Sequence, residues 1–212
     1  GLGFFANAQL DLTPWDDEEF LVNLRRRTRL PVLRGGTPCR HRRCSAAGGT
    51  CGVLHDALGD HAVQCMTGGG HNTAHDGIVS ELLRAHREAG LRSCAEVVVP
   101  ALSKPTVQEA RVDVEAWGTV CLPHAYLDFT LVSPWAQRYA AAAGREPAAA
   151  ARSAELAKHG KYAEVGGLGV TGLALEAGGR HGPGLAGNLC LLAALARRRG
   201  HDRWQLCSRH LL

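Results

Sequence analysis

Two short apolar runs, V-D-V at 112–114 and L-D-F-T-L-V at 127–132, each carry an aspartate where a strand interior ordinarily holds valine or isoleucine. A carboxylate among apolar neighbours loses hydration, and it is retained only with hydrogen bonds, a cation or a metal beside it. Asp113 and Asp128 therefore constrain the fold more than any other feature. Either both lie on the solvated face of amphipathic strands, or the two carboxyls converge on a divalent ion.

The surrounding pattern supplies the elements. "PWDDEEFLVNLRRRTRL" (14–30) has Pro and acids at its start and arginines at its end, the charge order that complements a helix macrodipole. From Asp76 the residues Ile78, Val79, Leu82, Leu83 and Ala89 recur at helical spacing until Gly90 closes the run. "AEVVVPAL" (95–102), "ARVDVEAWG" (110–118) and "YLDFTLVSP" (126–134) read as strands. "AAAARSAELAKHGKYAEV" (148–165) reads as a helix, "GVTGLALEAGG" (169–179) as a Gly-interrupted strand, and "GLAGNLCLLAALARRRG" (184–200) as a closing helix. Helix, three strands, helix, strand, helix predicts a mixed α/β sheet, with a meander followed by a crossover.

A chain of 212 residues accommodates one substantial domain and a small module. Its net charge of +4 permits nucleic-acid binding without arguing for it. No uninterrupted apolar run reaches the roughly 20 residues needed to cross a bilayer, and no membrane partner is expected. The opening lacks the basic and apolar regions of a secretory signal. It also begins without Met, which points to a piece of a longer polypeptide. Eight cysteines without an export signal favour metal binding over disulfides.

Those ligands concentrate in "CRHRRCSAAGGTCGVLHDALGDHAVQC" (39–65). His61 and Cys65 are one helical turn apart and face the same way. With Cys44 and Cys51 they make a tetrahedral set for structural Zn²⁺, with Cys39 or His55 as substitutes. Such a metal folds a segment too short and Gly-rich to build its own core. Arg40, Arg42 and Arg43 give it a basic face suited to phosphate, and Arg197, Arg198 and Arg199 add a second one at the end of the last helix. Farther along the chain, two strand aspartates followed by a lysine form a physically sensible phosphodiesterase site. The carboxylates hold Mg²⁺ or Mn²⁺, and Lys158 or Lys161, beside Tyr162, steadies the charge that develops.

The order GDHAVQC, GGGHNTAHDGI, EVVVP, ARVDV, LDFTLVSP, KHGKY resembles the restriction-like endonuclease region of non-LTR retrotransposons, over roughly residues 40 to 180. In that family a Cys-Cys-His-Cys knuckle precedes a PD-(D/E)XK nuclease at the end of a reverse-transcriptase polyprotein. The resemblance implies an αβββαβ core, with the family's two acidic residues falling on Asp113 and Asp128. Thr130 stands where the third-strand lysine would be, so Lys161 is the expected carrier of a displaced lysine, with Lys158 behind it and Tyr162 beside it. Glu81 or Glu96 would supply the further carboxylate that some members use. The family's Arg-His-Asn triplet falls on Ala74-His75-Asp76, which adds His75 to the nucleic-acid contacts. Val112 replaces the proline of the family's "PD".

The implied organisation is a helical segment at 1–38, a knuckle and Gly-rich linker at 39–75, a nuclease domain at 76–200 and a basic tail at 201–212. The implied activity is Mg-dependent nicking of double-stranded DNA in the nucleus, for target-primed reverse transcription, with the element's own RNA as a further partner. A non-catalytic zinc-dependent nucleic-acid-binding module is the main alternative. A His-metal nuclease built on "HDALGDH" and "GGGHNTAHD" ranks lower.

Overall fold

A computed structural model describes residues 17–42, 48–67, 70–104, 109–119, 122–162 and 169–200. Its elements are α1 (Asp17–Arg27), α2 (Asp60–Gln64), α3 (Gly70–Glu88), β1 (Arg92–Val98), β2 (Arg111–Thr119), β3 (Leu122–Val132), α4 (Gln137–Ala143), α5 (Ala149–Lys161), β4 (Val170–Glu176) and α6 (Pro183–Arg198), with a 3₁₀ turn at Pro100–Leu102. The strands form one mixed sheet in the order β1-β2-β3-β4. The first two pairings are antiparallel and β3 runs parallel to β4, so α5 lies in the crossover. Meander and crossover thus match the element order read from the sequence.

The ends of β1 and β3 shift by a few residues from expectation, and two helices differ more. α3 begins at Gly70 rather than Asp76, so the glycine-rich stretch is helical from Gly70 and His75 sits inside the helix. Packing of Ile78, Val79 and Leu82 against the sheet outweighs the low helix propensity of the glycines. The short helix α4 was not anticipated; its Tyr139 packs with Val132 and the alanines of α5.

Each sheet face has its own cover. On one side, Ile78, Val79 and Leu82 of α3 and Leu185 and Leu189 of α6 pack on Val114, Ala116, Leu127, Phe129 and Leu173. On the other side lies α5, which approaches β4 closely. A Cβ on Gly172 would stand 2.5 Å from the Glu155 carbonyl oxygen, so only glycine lets that helix and strand meet. Glu155 is buried, yet its carboxylate accepts N–H bonds from Ala174 (3.0 Å), Gly184 (2.9 Å) and Leu185 (3.0 Å). The last two are unpaired donors at the start of α6, where a negative charge also meets the helix dipole favourably.

β1 and β2 turn over together near their middle. Val114 belongs to the layer under α3, whereas Val112, two residues away, packs with Tyr162 and Val170 on the α5 side. Strict alternation would put both on one face. Across the ladder, between the pairs Ala95–Val114 and Val97–Val112, Glu96 adopts a left-handed φ of 53°. This paired kink sets the position of Asp113.

Candidate functional site

The β2–β3 ladder runs from Thr119–Leu122 to Val114–Leu127 and stops short of Asp113. There the Asp113 carboxylate takes the place of a backbone acceptor: the Phe129 N–H donates to its Oδ2 at 2.6 Å. Asp113 thereby reaches its neighbour strand beside Asp128, close enough for each carboxyl to influence the titration of the other.

α5 and α3 close around this pair. Ala151, Ala154, Glu155, Lys158 and Tyr162 recur at helical spacing, so one stripe of α5 carries both the buried alanines and the polar groups facing Asp128. Lys158 Nζ donates to Asp128 Oδ1 at 2.6 Å, and the Tyr162 hydroxyl bonds Asp128 Oδ2 at 2.5 Å while lying 2.7 Å from the Arg111 carbonyl oxygen. Lys161 Nζ stands 3.7 Å from Asp128 Oδ2 and 2.8 Å from the Tyr162 oxygen. The expected order of the lysines is therefore reversed. Lys158 lies on the inward stripe and makes the direct ion pair, whereas Lys161 is one position off it and more exposed.

From the opposite layer, His75 Nε2 approaches Asp113 Oδ2 at 3.3 Å and Nδ1 lies 3.1 Å from Asp76. Its bond to Asp113 outweighs the effect of burial and pushes the imidazole up to about 9, so it is protonated at neutral pH. Burial would raise Asp113, but His75 and the Phe129 N–H hold it below the usual carboxylate range. Asp128 differs: burial pushes it up in spite of Lys158 and Tyr162. Burial, followed by Asp128, also raises the Tyr162 hydroxyl. Two adjoining carboxyls thus hold unequal charge, one ionised and one drawn toward its neutral form.

The other expected site residues lie elsewhere. Glu81 is bonded by Arg84 on its own helix (3.0 Å), and Glu96 pairs with Arg111 (3.4 Å) at an exposed position. His75, expected to touch nucleic acid, is partly buried against Asp113 instead. Arg40 and Arg42 are exposed, as are Arg197, Arg198 and Arg199 at the end of α6. Arg43 falls outside the described residues. Glu155 had no signature in the sequence; its neighbours Gly172, Gly182 and Gly184, which crowd it, were the only trace.

A second centre precedes the sheet. Cys39, Cys51, His61 and Cys65 present ligand atoms that all lie within 4.8 Å of one another. Cys39 Sγ and Cys65 Sγ are 3.7 Å apart, and Cys51 Sγ lies 3.4 Å from His61 Nε2. A tetrahedron of Zn–S bonds near 2.3 Å has an edge of about 3.8 Å, so this group could hold a zinc-like ion. Cys39 fills the place expected of Cys44, which lies outside the described residues. The other expected substitute, His55, packs against the His61 ring at a centroid distance of 5.4 Å.

Local geometry builds the cluster. Asp56 accepts N–H bonds from Leu58 (2.9 Å), Asp60 (3.1 Å) and His61 (2.9 Å), which orders the turn into α2. The segment also docks on the sheet domain. Arg29 pairs with Asp60 at 2.7 Å and lies 4.4 Å over the Trp135 ring, and Gln64 Nε2 donates to Ser133 Oγ at 2.9 Å. Searches against family models and curated proteins returned no match for this chain.

Proposed function

We propose that the protein is a metal-dependent endonuclease whose phosphodiester-cleaving centre is Asp113, Asp128 and Lys158. The observation that carries this reading is the meeting of two partly or fully buried carboxyls in a split between strands, with an ammonium group at 2.6 Å. An amphipathic sheet gives no reason to bury such a pair. The oxygen donors suit a hard cation, Mg²⁺ or Mn²⁺, and the resemblance to retrotransposon endonucleases agrees with the order of the elements. Bound between the carboxylates, that ion would polarise the phosphate and acidify a water.

The protein's own groups then have separate tasks. Asp113, held by Phe129 N–H and His75, offers a fixed ionised oxygen. Asp128, which a bound cation would draw back to its ionised form, would supply the second oxygen, and Lys158 places positive charge where the phosphate gains negative charge. Tyr162 and Lys161 hold Asp128 from its other oxygen. Attack by the water oxygen on phosphorus breaks the P–O3′ bond; the water's proton leaves to solvent and the 3′ oxygen takes one up. The products are a 5′-phosphate and a 3′-hydroxyl, the end that can prime reverse transcription by another part of a longer protein.

A second reading has its own support. Lys158 and Tyr162 already satisfy Asp128, as they would in a purely structural network of a nucleic-acid-binding module. Nicking of supercoiled plasmid by zinc-loaded protein, with and without added Mg²⁺, separates the two. We expect Mg²⁺-dependent nicking that falls roughly a hundredfold or more in Asp113→Asn and Lys158→Met, with DNA binding retained. Equal nicking by both variants and the parent protein sinks the nuclease reading.

A further inference from the structure

On the α5 side of the sheet that helix covers β4 and the second half of β3. Among the described residues the rows beyond its end keep solvent access, with Tyr126 packed in part against Val112, Tyr162 and Val170. Register places Arg92, Trp117 and His124 in one row across β1, β2 and β3, and Cys94, Glu115 and Tyr126 in the next. Their neighbours Val114, Ala116, Ala125 and Leu127 face the opposite layer, which fixes the orientation of both rows. Arg92 and Cys94 are exposed, and Trp117, Glu115, His124 and Tyr126 are half-buried. The following position along β3 is Asp128.

Three features of this strip are unusual for a surface that only meets water. It gathers two large aromatic rings and an imidazole, with the His124 and Tyr126 rings 4.6 Å apart and tilted by 53°. Its one acid, Glu115, is met by His124 at 2.7 Å, so no lone carboxylate faces a phosphate chain. Cations stand at both ends, Arg92 beside Trp117 and Lys161 beside Asp128. Alternate residues on a strand are about 6.8 Å apart, roughly two stacked-base rises, so each row has room for one splayed nucleotide.

We propose that this open face binds an unpaired polynucleotide strand, its bases stacked on Trp117 and Tyr126 and its backbone led by Arg92 and Lys161 toward the Asp113–Asp128 centre. The placement of the scissile phosphate rests on the nuclease reading; the binding of the strand does not. An antiparallel sheet offering aromatic rings on an open face is a sequence-tolerant platform, because every base has a π-face. Duplex DNA hides those faces, so the surface discriminates by strandedness. The substrate of the centre would then be a phosphate at a junction between paired and unpaired DNA.

Fluorescence anisotropy with the full chain, zinc-loaded and without Mg²⁺, tests this directly. The probes are DNA and RNA single strands of about 12 nucleotides and the matching duplex. Single strands should bind at least roughly tenfold more tightly than duplex, and Trp117→Ala and Tyr126→Leu should each weaken single-strand binding by roughly 5- to 100-fold. Trp117→Phe keeps a stacking ring and should recover most of the affinity. Arg152→Ala, on the exposed side of α5, should leave the preference unchanged. Tighter binding of the DNA or of the RNA arm identifies which strand the platform receives.

A preference for duplex, or single-strand affinity in Trp117→Ala within about twofold of the parent, overturns the proposal. Should the alanine variant fail to fold, tryptophan fluorescence decides. Quenching by the single strand that disappears in folded Trp117→Phe supports the platform, and quenching that persists unchanged overturns it. If neither plasmid nor a DNA with a splayed single-stranded arm is nicked with Mg²⁺ while the single-strand preference stands, the nuclease reading fails and the platform survives.

Discussion

The Cys/His segment and the sheet are held together by different forces. Among the residues between 48 and 67 whose burial is described, only Gly59 and Cys65 are buried, and the large apolar side chains Val53, Leu54 and Met66 are exposed. Among the described residues that segment has little core, so a metal held by its four candidate ligands would supply most of its order, beside a few docking bonds. The sheet instead buries a continuous apolar layer under α3 and α6 and spends its polar groups in one split between strands. Loss of a ligand should therefore be a local catastrophe in the first region, whereas the second should respond in proportion to the atoms disturbed.

Removing zinc tests this contrast with the largest expected effect. A selective zinc chelator, or Cys65→Ser, should release amide protection across residues 31–67, because a structural zinc supplies on the order of 10 kcal/mol of folding energy. Amides of β2, β3 and α6 should stay protected in the same hydrogen-exchange experiment. Concerted loss in both regions would show that Arg29, Asp60 and Gln64 weld them into one cooperative unit.

Gly172→Ala probes the sheet domain. Its methyl group meets the backbone of Glu155, which cannot move without dragging α5 off β4. The expected loss is about 2–4 kcal/mol by denaturant titration, with zinc content unchanged. A neutral result would mean that the crossing is looser than the contacts indicate.

The smallest effect concerns Glu96. A glutamate at a φ of 53° stores strain that glycine would not. Glu96→Gly should be stabilising by roughly 0.5–1 kcal/mol in thermal unfolding, provided the kink is intrinsic to the fold. A loss of similar size would show that the Arg111 pair outweighs the strain.

Much of this was legible in the sequence, for identifiable reasons. Local periodicity located the strands and the main helices, since 2.0 and 3.6 residue spacings are visible in one dimension. Ligand density located the metal segment, because Cys39, Cys51, His61 and Cys65 lie within one short stretch. The choice of Cys39 as the fourth member was not legible: several cysteines compete, and only the fold of the loop selects among them. The start of α3 was missed for a related reason, as its glycines carry a local signal that packing overrides.

The two aspartates show the division most clearly. By itself the sequence determined that a carboxyl would occupy each of two apolar strands, which is a statement about desolvation and needs no coordinates. Whether those carboxyls meet depends on the register of β2 against β3, which carries Asp113 beside Asp128, and the kink at Glu96 and Asp113 lets the same carboxylate also reach His75 on the other layer. Selection of Lys158 over Lys161 likewise follows from which stripe of α5 faces the sheet, and His75 arrives from a helix that packs on the opposite layer. Strand register, helix rotation and layer contact join residues far apart in the chain, and such relations exist only once the core has packed.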